Sequence, residues 1–218
     1  MCKVIVQKEK KVKLAVNGGI SFGAKLNANQ LRVLADYLGD QELELTTFQQ
    51  LYIEVFESDL EFIQKKFKEV ELFCYPVGNY VKSLRHCNFC KGAEEEGMPV
   101  AIELNKRIAG RPVPFTLRPA YTGCPIGCGE PLVNDIGVMK SRKGYDLYIG
   151  GNAKGAYAKT GTLILEQVQP DELYEAVEQV IDLYAENGKK REPFYKFVNR
   201  FGVENIMQYV MNDSAQIE

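Results

Sequence analysis

Val12, Leu14, Ala15 and Val16, interrupted only by Lys13, make a short apolar run that predicts a strand. A second strand is expected at Val4–Val6, with the charged stretch Lys8–Lys11 as the turn between them and the glycines of "NGGISFG" opening a loop. Asn27 and Gln30 then stand at N-cap and N3 spacing, and Leu31, Leu34, Ala35 and Leu38 recur at helical spacing before Gly39 stops the pattern. "LELTTF" and "LYIEVF" read as a strand pair. Ser58 and Glu61 form a second capping-box pattern, opening a helix that buries Leu60, Ile63 and Phe67 while its lysines face water. Through Val70 the order is strand, strand, helix, strand, strand, helix, a small α+β unit.

"ELFCYPVGNYVKSLRHCNFC" predicts a strand running into a loop, and a helix after Pro99 buries Ala101, Leu104 and Ile108. "PFTLRPAYTGCPIGC" reads as a strand entering a cysteine loop, and "DIGVMKS", "YDLYIGG" and "GTLILEQV" as three further strands. From Pro170 a helix carries Leu173, Val177, Val180, Ile181 and Tyr184 on one face and ends at Asn187-Gly188. A last helical stretch passes through Phe194, Phe197 and Val198, and the polar tail after Asn212 is expected to fray. The expected fold class is α+β, with half of a ferredoxin-type sandwich packed on a mixed α/β sheet domain that carries the cysteine loops. The expected divisions are 1–70, 71–168 and a C-terminal helical segment, 169–218, packed on the second.

Composition narrows the chemistry. The 218 residues carry 27 basic and 29 acidic side chains, a net charge of −2, so no global field draws the chain to nucleic acid or an anionic membrane, and any anion site is local. No apolar stretch reaches membrane-spanning length, and the charged first residues do not read as a secretory signal, so a cytoplasmic protein is expected. Thiols there stay reduced, which turns paired cysteines toward metal or redox chemistry. With His86 the single histidine, His-based triads and His-rich metal sites are poor candidates.

Four of the six cysteines fall in two short motifs, "RHCNFC" with Cys87 and Cys90, and "GCPIGC" with Cys124 and Cys128. Two pairs of soft ligands on glycine-containing loops meet the needs of tetrahedral zinc or of a 4Fe-4S cluster. The bland alternative is a set of unrelated small core residues, which suits Cys2 and Cys74 better than the spaced pairs.

"TGCPIGCGEPLVNDIGVM", followed by "YDLYIGGNAKGAYAKTG", resembles the cluster-binding half of the siroheme-dependent sulfite and nitrite reductases. "GNYVKSLRHCNFC" is similar to that family's first cysteine loop, "NANQLRVLADYL" and "LTTFQQLYIEVFESDLEFI" to its ferredoxin-like half domain, and "REPFYKFVNRFGVENI" to its closing segment. The resemblance implies a 4Fe-4S cluster on Cys87, Cys90, Cys124 and Cys128, with Cys128 bridging to the iron of siroheme. It implies multi-electron reduction of sulfite to sulfide, or of nitrite to ammonia, fed by an external donor such as a ferredoxin; no GxGxxG follows a strand to hold a nicotinamide or flavin. Positive charge is needed for the carboxylates of the macrocycle and for a small anionic substrate, and Lys82, Arg85, Arg118, Lys140, Arg142, Lys143, Lys154 and Lys159 lie beside the motifs. Arg85, Arg118 and Lys159 are the catalytic candidates. Lys82, Arg85, Arg118, Thr122, Gly150, Gly151, Asn152, Lys154 and Cys128 are the cofactor-binding ones, the glycine turn through its N–H groups.

Three features depart from the family pattern. Its opening pair is usually CxxxxxC, and counting back from Cys90 the usual position holds Leu84. Phe48 stands where an arginine commonly precedes the glutamine, and "VNGGISFG" lacks an early-loop arginine, so fixed guanidinium donors are missing. The larger enzymes carry the unit twice, so a single copy either builds its site alone or borrows walls by forming a homo-oligomer. These departures keep two rivals open: an electron-transfer or tetrapyrrole-binding protein without reductase activity, and a zinc-stabilised structural protein.

Overall fold

The computed structural model describes residues 9–18, 25–87, 90 and 97–214, and the chain divides into two units, Met1–Val77 and Gly78–Glu218. In the first unit β1 (Lys11–Gly18) lies between β3 (Leu51–Phe56) and β4 (Leu72–Pro76), antiparallel to both, and β2 (Glu44–Leu45) pairs with β3. The spatial order is β2-β3-β1-β4, with α1 (Ala28–Leu38) following β1 and α2 (Leu60–Glu69) following β3. This is the ferredoxin-like arrangement. Period-two alternation brings Leu14 and Val16 of β1 and Ile53 and Val55 of β3 into one core, where they meet Leu34, Ile63 and Phe67 from the helices.

The expected class is found with a different set of strands. The strand expected at Val4–Val6 lies outside the described residues, as does most of the "NGGISFG" loop. The sheet is completed instead by β4, which pairs from Leu14 to Gly18 of β1 and so carries residues 71–77 into the first unit. Only Glu44–Leu45 of "LELTTF" is strand, and Phe48 is buried.

Asn27 caps α1 as its spacing predicts: its side chain accepts from the Gln30 N–H, and the Gln30 side chain accepts from the Asn27 N–H, each at 3.0 Å. Gln30 also donates to the Val70 and Glu71 carbonyls at the end of α2, so position 30 faces inward with Leu34, and Leu31 is turned out, 51% exposed. Asn27→Ala should cost about 1 kcal/mol, read as a lower urea midpoint, and Asn27→Ser should recover most of it. The Ser58–Glu61 capping box does not form. Ser58 lies in a 3-10 turn, Glu57–Asp59, that leads straight from β3 into α2, and the capping residue is Asp59, without a side-chain cap bond.

In the second unit the sheet order is β5-β6-β7-β8-β9: β5 (Arg85–His86), β6 (Pro119–Thr122), β7 (Ile136–Lys140), β8 (Tyr145–Ile149) and β9 (Thr162–Val168). β5, β6 and β7 run parallel, and the last two pairings are antiparallel. A β5-to-β6 connection in parallel needs a crossover, and α3 (Met98–Ile108), with Pro99 in its first turn, is that helix. Its Ala101, Leu104 and Ile108 are fully buried, as their spacing predicts. α4 (Pro170–Asn187) packs on β8 and against α3, burying Leu173, Val177, Val180, Ile181 and Tyr184.

The closing segment holds two helices. α5 (Phe194–Phe201) stops at Gly202, whose φ of 95° few other residues adopt, and α6 (Val203–Ser214) follows, burying Ile206 and Val210. Tyr184, Phe194 and Phe197 stack within 5.1–5.9 Å of one another and tie α5 to α4. No helix among the described residues is long and apolar enough to cross a membrane.

Candidate functional site

Parallel pairing sets Arg85 opposite Ala120 and His86 opposite Tyr121, so Cys87, just past β5, and Thr122, the last residue of β6, lie side by side. Cys87 Sγ lies 3.4 Å from Thr122 Oγ1, and Thr122 Oγ1 donates to the Cys124 carbonyl at 3.3 Å. Thr122 is fully buried, so its hydroxyl joins the two cysteine loops from within. In the Cys87–Thr122 contact either the thiol or the hydroxyl can be the donor.

Past Cys124 the loop turns tightly, with Gly127 N–H on the Cys124 carbonyl at 3.3 Å, and Gly127 itself at φ 78°. Gly129 then packs so closely that a Cβ there would stand 2.0 Å from the Tyr121 carbonyl oxygen and 3.5 Å from the Cys87 nitrogen. Cys87 is buried, Cys124 half-buried, and Cys90 and Cys128 exposed, all as free thiols. Among the described residues no three His, Cys, Asp or Glu side chains are gathered as a finished metal cage. The donor set still fits a soft-metal centre: free thiols in two pairs, with the loops of Cys87 and of Cys124 and Cys128 leaving neighbouring parallel strands at one end of the sheet. Leu84 is 1% exposed and its N–H donates to Asn105 Oδ1 at 2.8 Å, so that position is core, while Cys87 sits at the strand end.

The basic candidates separate into groups. Asp135, 6% exposed just before β7, accepts the Arg118 N–H at 2.8 Å and lies 3.7 Å from its guanidinium. Burial pushes the Asp135 carboxyl up to about 6, against the pull of Arg118 and Lys154. Repulsion from Arg118, then burial and repulsion from Lys82, hold Lys154 below the usual ammonium range, while Asp135 acts the other way. Arg118 and Lys154 therefore flank one buried carboxylate, with Lys82 close enough to Lys154 to repel it. Beside them a cavity of about 30 Å³ is lined by Arg118, Asn134, Asp135, Gly151, Asn152 and Lys154.

The glycine turn is built into this place. Gly150, at φ 76°, donates its N–H to the Asp135 carbonyl at 2.8 Å, and a Cβ on Gly151 would lie 2.5 Å from the Leu132 and Asn134 carbonyl oxygens. Asn152 spends its amide on its own loop, donating to the Lys154 and Tyr157 carbonyls at 3.0 and 2.9 Å.

Arg85 binds Glu130 at 2.6 Å, and Lys159 binds Asn199 at 2.7 Å. Arg118 precedes β6 whereas Cys124 follows it, so the Arg118, Lys82 and Lys154 group is at the opposite end of the strand from the cysteine loops, roughly 13 Å away for a strand of this length. Met139 pairs with Thr122, so the β7–β8 hairpin with Lys140, Arg142 and Lys143 stands at the cysteine end. Nearness to a motif in sequence did not reveal this division. Asp135 and Glu130 were not among the expected site residues; Asp135 could have been suspected from an isolated acid opening an apolar strand.

Residues 80–217 match the family described as the nitrite and sulphite reductase 4Fe-4S domain. Cobalt-factor III methyltransferase of Priestia megaterium is 29% identical over 92% of this chain and 36% of its own length. An assimilatory-type sulfite reductase of Nitratidesulfovibrio vulgaris is 27% identical over 61% of each chain. The chain thus spans between about a third and three fifths of these relatives. The Mycobacterium tuberculosis NirA structure superposes with a TM-score of 0.74 at 15% identity, covering 94% of this chain and 40% of the other, a likeness of fold.

Proposed function

Because the chain belongs to the nitrite and sulphite reductase 4Fe-4S domain family, we propose that Cys87, Cys90, Cys124 and Cys128 hold a 4Fe-4S cluster and that Cys128 bridges it to siroheme. The activity proposed is reduction of sulfite to sulfide, with nitrite to ammonia as the alternative substrate, using electrons from an external ferredoxin-like donor. The observation that carries the reading is the exit of the Cys87 loop and the Cys124–Cys128 loop from adjacent parallel strands, joined at Thr122 and Gly129. When bound, the coupled centres would supply one-electron steps to a multi-electron reduction.

The chain's own residues do the positioning. Thr122 offers its hydroxyl to Cys87, and Gly129 lets the second loop close against the first. Arg118, Lys82 and Lys154 form an anion site that suits peripheral carboxylates of a large ligand better than an anion beside Cys128, given the length of β6 between them. Lys140, Arg142 and Lys143 are the cations at the cysteine end.

A second reading, an electron-transfer or tetrapyrrole-binding protein without turnover, is favoured by buried Phe48 at the position where the resemblance expects an arginine. The absorption spectrum, iron and acid-labile sulfide of anaerobically purified protein test both. Cluster and tetrapyrrole bands together with viologen-dependent turnover of sulfite or nitrite are expected. Both bands without turnover would give the second reading. One zinc per chain and no colour would refute both.

A further inference from the structure

We propose that Glu130 is a positioning residue whose carboxylate holds Arg85 and so latches the Cys124–Cys128 loop over Cys87. Glu130 has φ 57°, in the left-handed region, where glycine would sit without penalty. The backbone bonds of this position, from Glu130 N–H to the Gly127 carbonyl and from Asn134 Nδ2 to the Glu130 carbonyl, both 2.8 Å, would serve glycine equally. What glycine lacks is the carboxylate, which meets Arg85 at 2.6 Å.

Arg85 has need of it. Its side chain is only 18% exposed, and its Nε is buried with no hydrogen-bond partner among the described residues. Arg85 lies two residues before Cys87, and Gly129, adjacent to Glu130, is seated against the Tyr121 carbonyl, where a Cβ would also come within 3.5 Å of the Cys87 nitrogen. The ion pair therefore clamps one cysteine loop to the root of the other, and Cys87 is left 7% exposed beneath it. Any consequence for cluster retention rests on the function proposed above; the latch itself does not.

Alkylation of the metal-free 218-residue chain by iodoacetamide, resolved by cysteine with peptide mass spectrometry, reads the latch directly. Glu130→Gly and Glu130→Gln should both alkylate Cys87 on the order of tenfold faster than the unmodified protein, with exposed Cys90 unchanged as the internal reference. Glu130→Gly should melt no lower than the unmodified protein, since its backbone strain is relieved. The charge-swapped pair Arg85→Glu with Glu130→Arg should restore slow alkylation. Equal Cys87 rates in all these proteins would overturn the proposal. After anaerobic supply of ferrous iron and sulfide, the two Glu130 variants should lose iron to a chelator faster. If the unmodified protein takes up no cluster while the difference in Cys87 rates persists, the cluster reading falls and the latch stands.

Discussion

Gly129→Ala should destabilise the protein by about 3 kcal/mol and lower iron uptake at the proposed cluster site, while Gly127→Ala, two residues earlier, should cost about 1 kcal/mol. The contrast isolates two different uses of glycine in one loop. Gly127 has φ 78° and open space around the position of a Cβ, so alanine there meets only backbone strain. At Gly129 the added carbon would stand 2.0 Å from the Tyr121 carbonyl oxygen and 2.9 Å from its carbon. Both are backbone atoms of a fully buried strand, so no flexible side chain can yield, and the loop itself must lift. Lifting it moves the Cys124–Cys128 loop away from the end of β6, the place from which the proposed site would be built. Urea midpoints and iron content of the reconstituted variants check this; equal losses in the two variants would show that space at Gly129 is not what seats the loop.

Asp135→Asn should stabilise the protein at pH 7 by about 1–3 kcal/mol. The Asp135 carboxyl is raised from 3.8 to about 6 in the folded protein, chiefly by burial. The fold thus binds this proton more tightly than the unfolded chain does, and the associated stability is fully present below pH 3.8 and lost as pH rises through about 6. Asparagine keeps an oxygen to accept the Arg118 N–H and stays neutral at every pH. The stability difference between variant and parent should therefore be small at pH 4, grow through pH 5 and 6, and level off above. A difference independent of pH would contradict a buried, raised carboxyl.

Glu192 works in the opposite sense. Its paired hydrogen bonds from Arg200 hold it down at about 2 from 4.5, so its stabilisation is present above pH 4.5 and lost as pH falls toward 2. Separating the two groups requires the Asp135→Asn comparison rather than the parent profile alone. The same substitution removes the carboxylate between Arg118 and Lys154, which should tighten binding of an added inorganic anion there. An aspartate held where burial opposes its charge is the pattern expected where a charge cluster is kept for binding.

Local order was legible in the residues themselves. The periodicity of Leu173, Val177, Val180, Ile181 and Tyr184, Pro170 at its start and Gly188 at its end specify α4 without reference to any other segment. The strands β6 to β9, the Asn27 cap and the pairing of thiols into two motifs were equally readable, since each depends on neighbours a few residues away.

Tertiary structure decided everything that depends on which segments become neighbours. Leu31 yields the inward position to Gln30 because the end of α2 offers carbonyls to an amide. "LFCYP" joins the first sheet because β1 has an open edge for it. Arg118 and the cysteines, close in sequence, are separated by the length of β6, while Lys140, Arg142 and Lys143 return to the cysteine end because β7 runs parallel to β6. Arg85 and Glu130, far apart in the chain, meet through strand adjacency. Periodicity and spacing report the face and the ligand type of a residue; strand direction and register, which arise only when the chain packs, fix what that residue can reach.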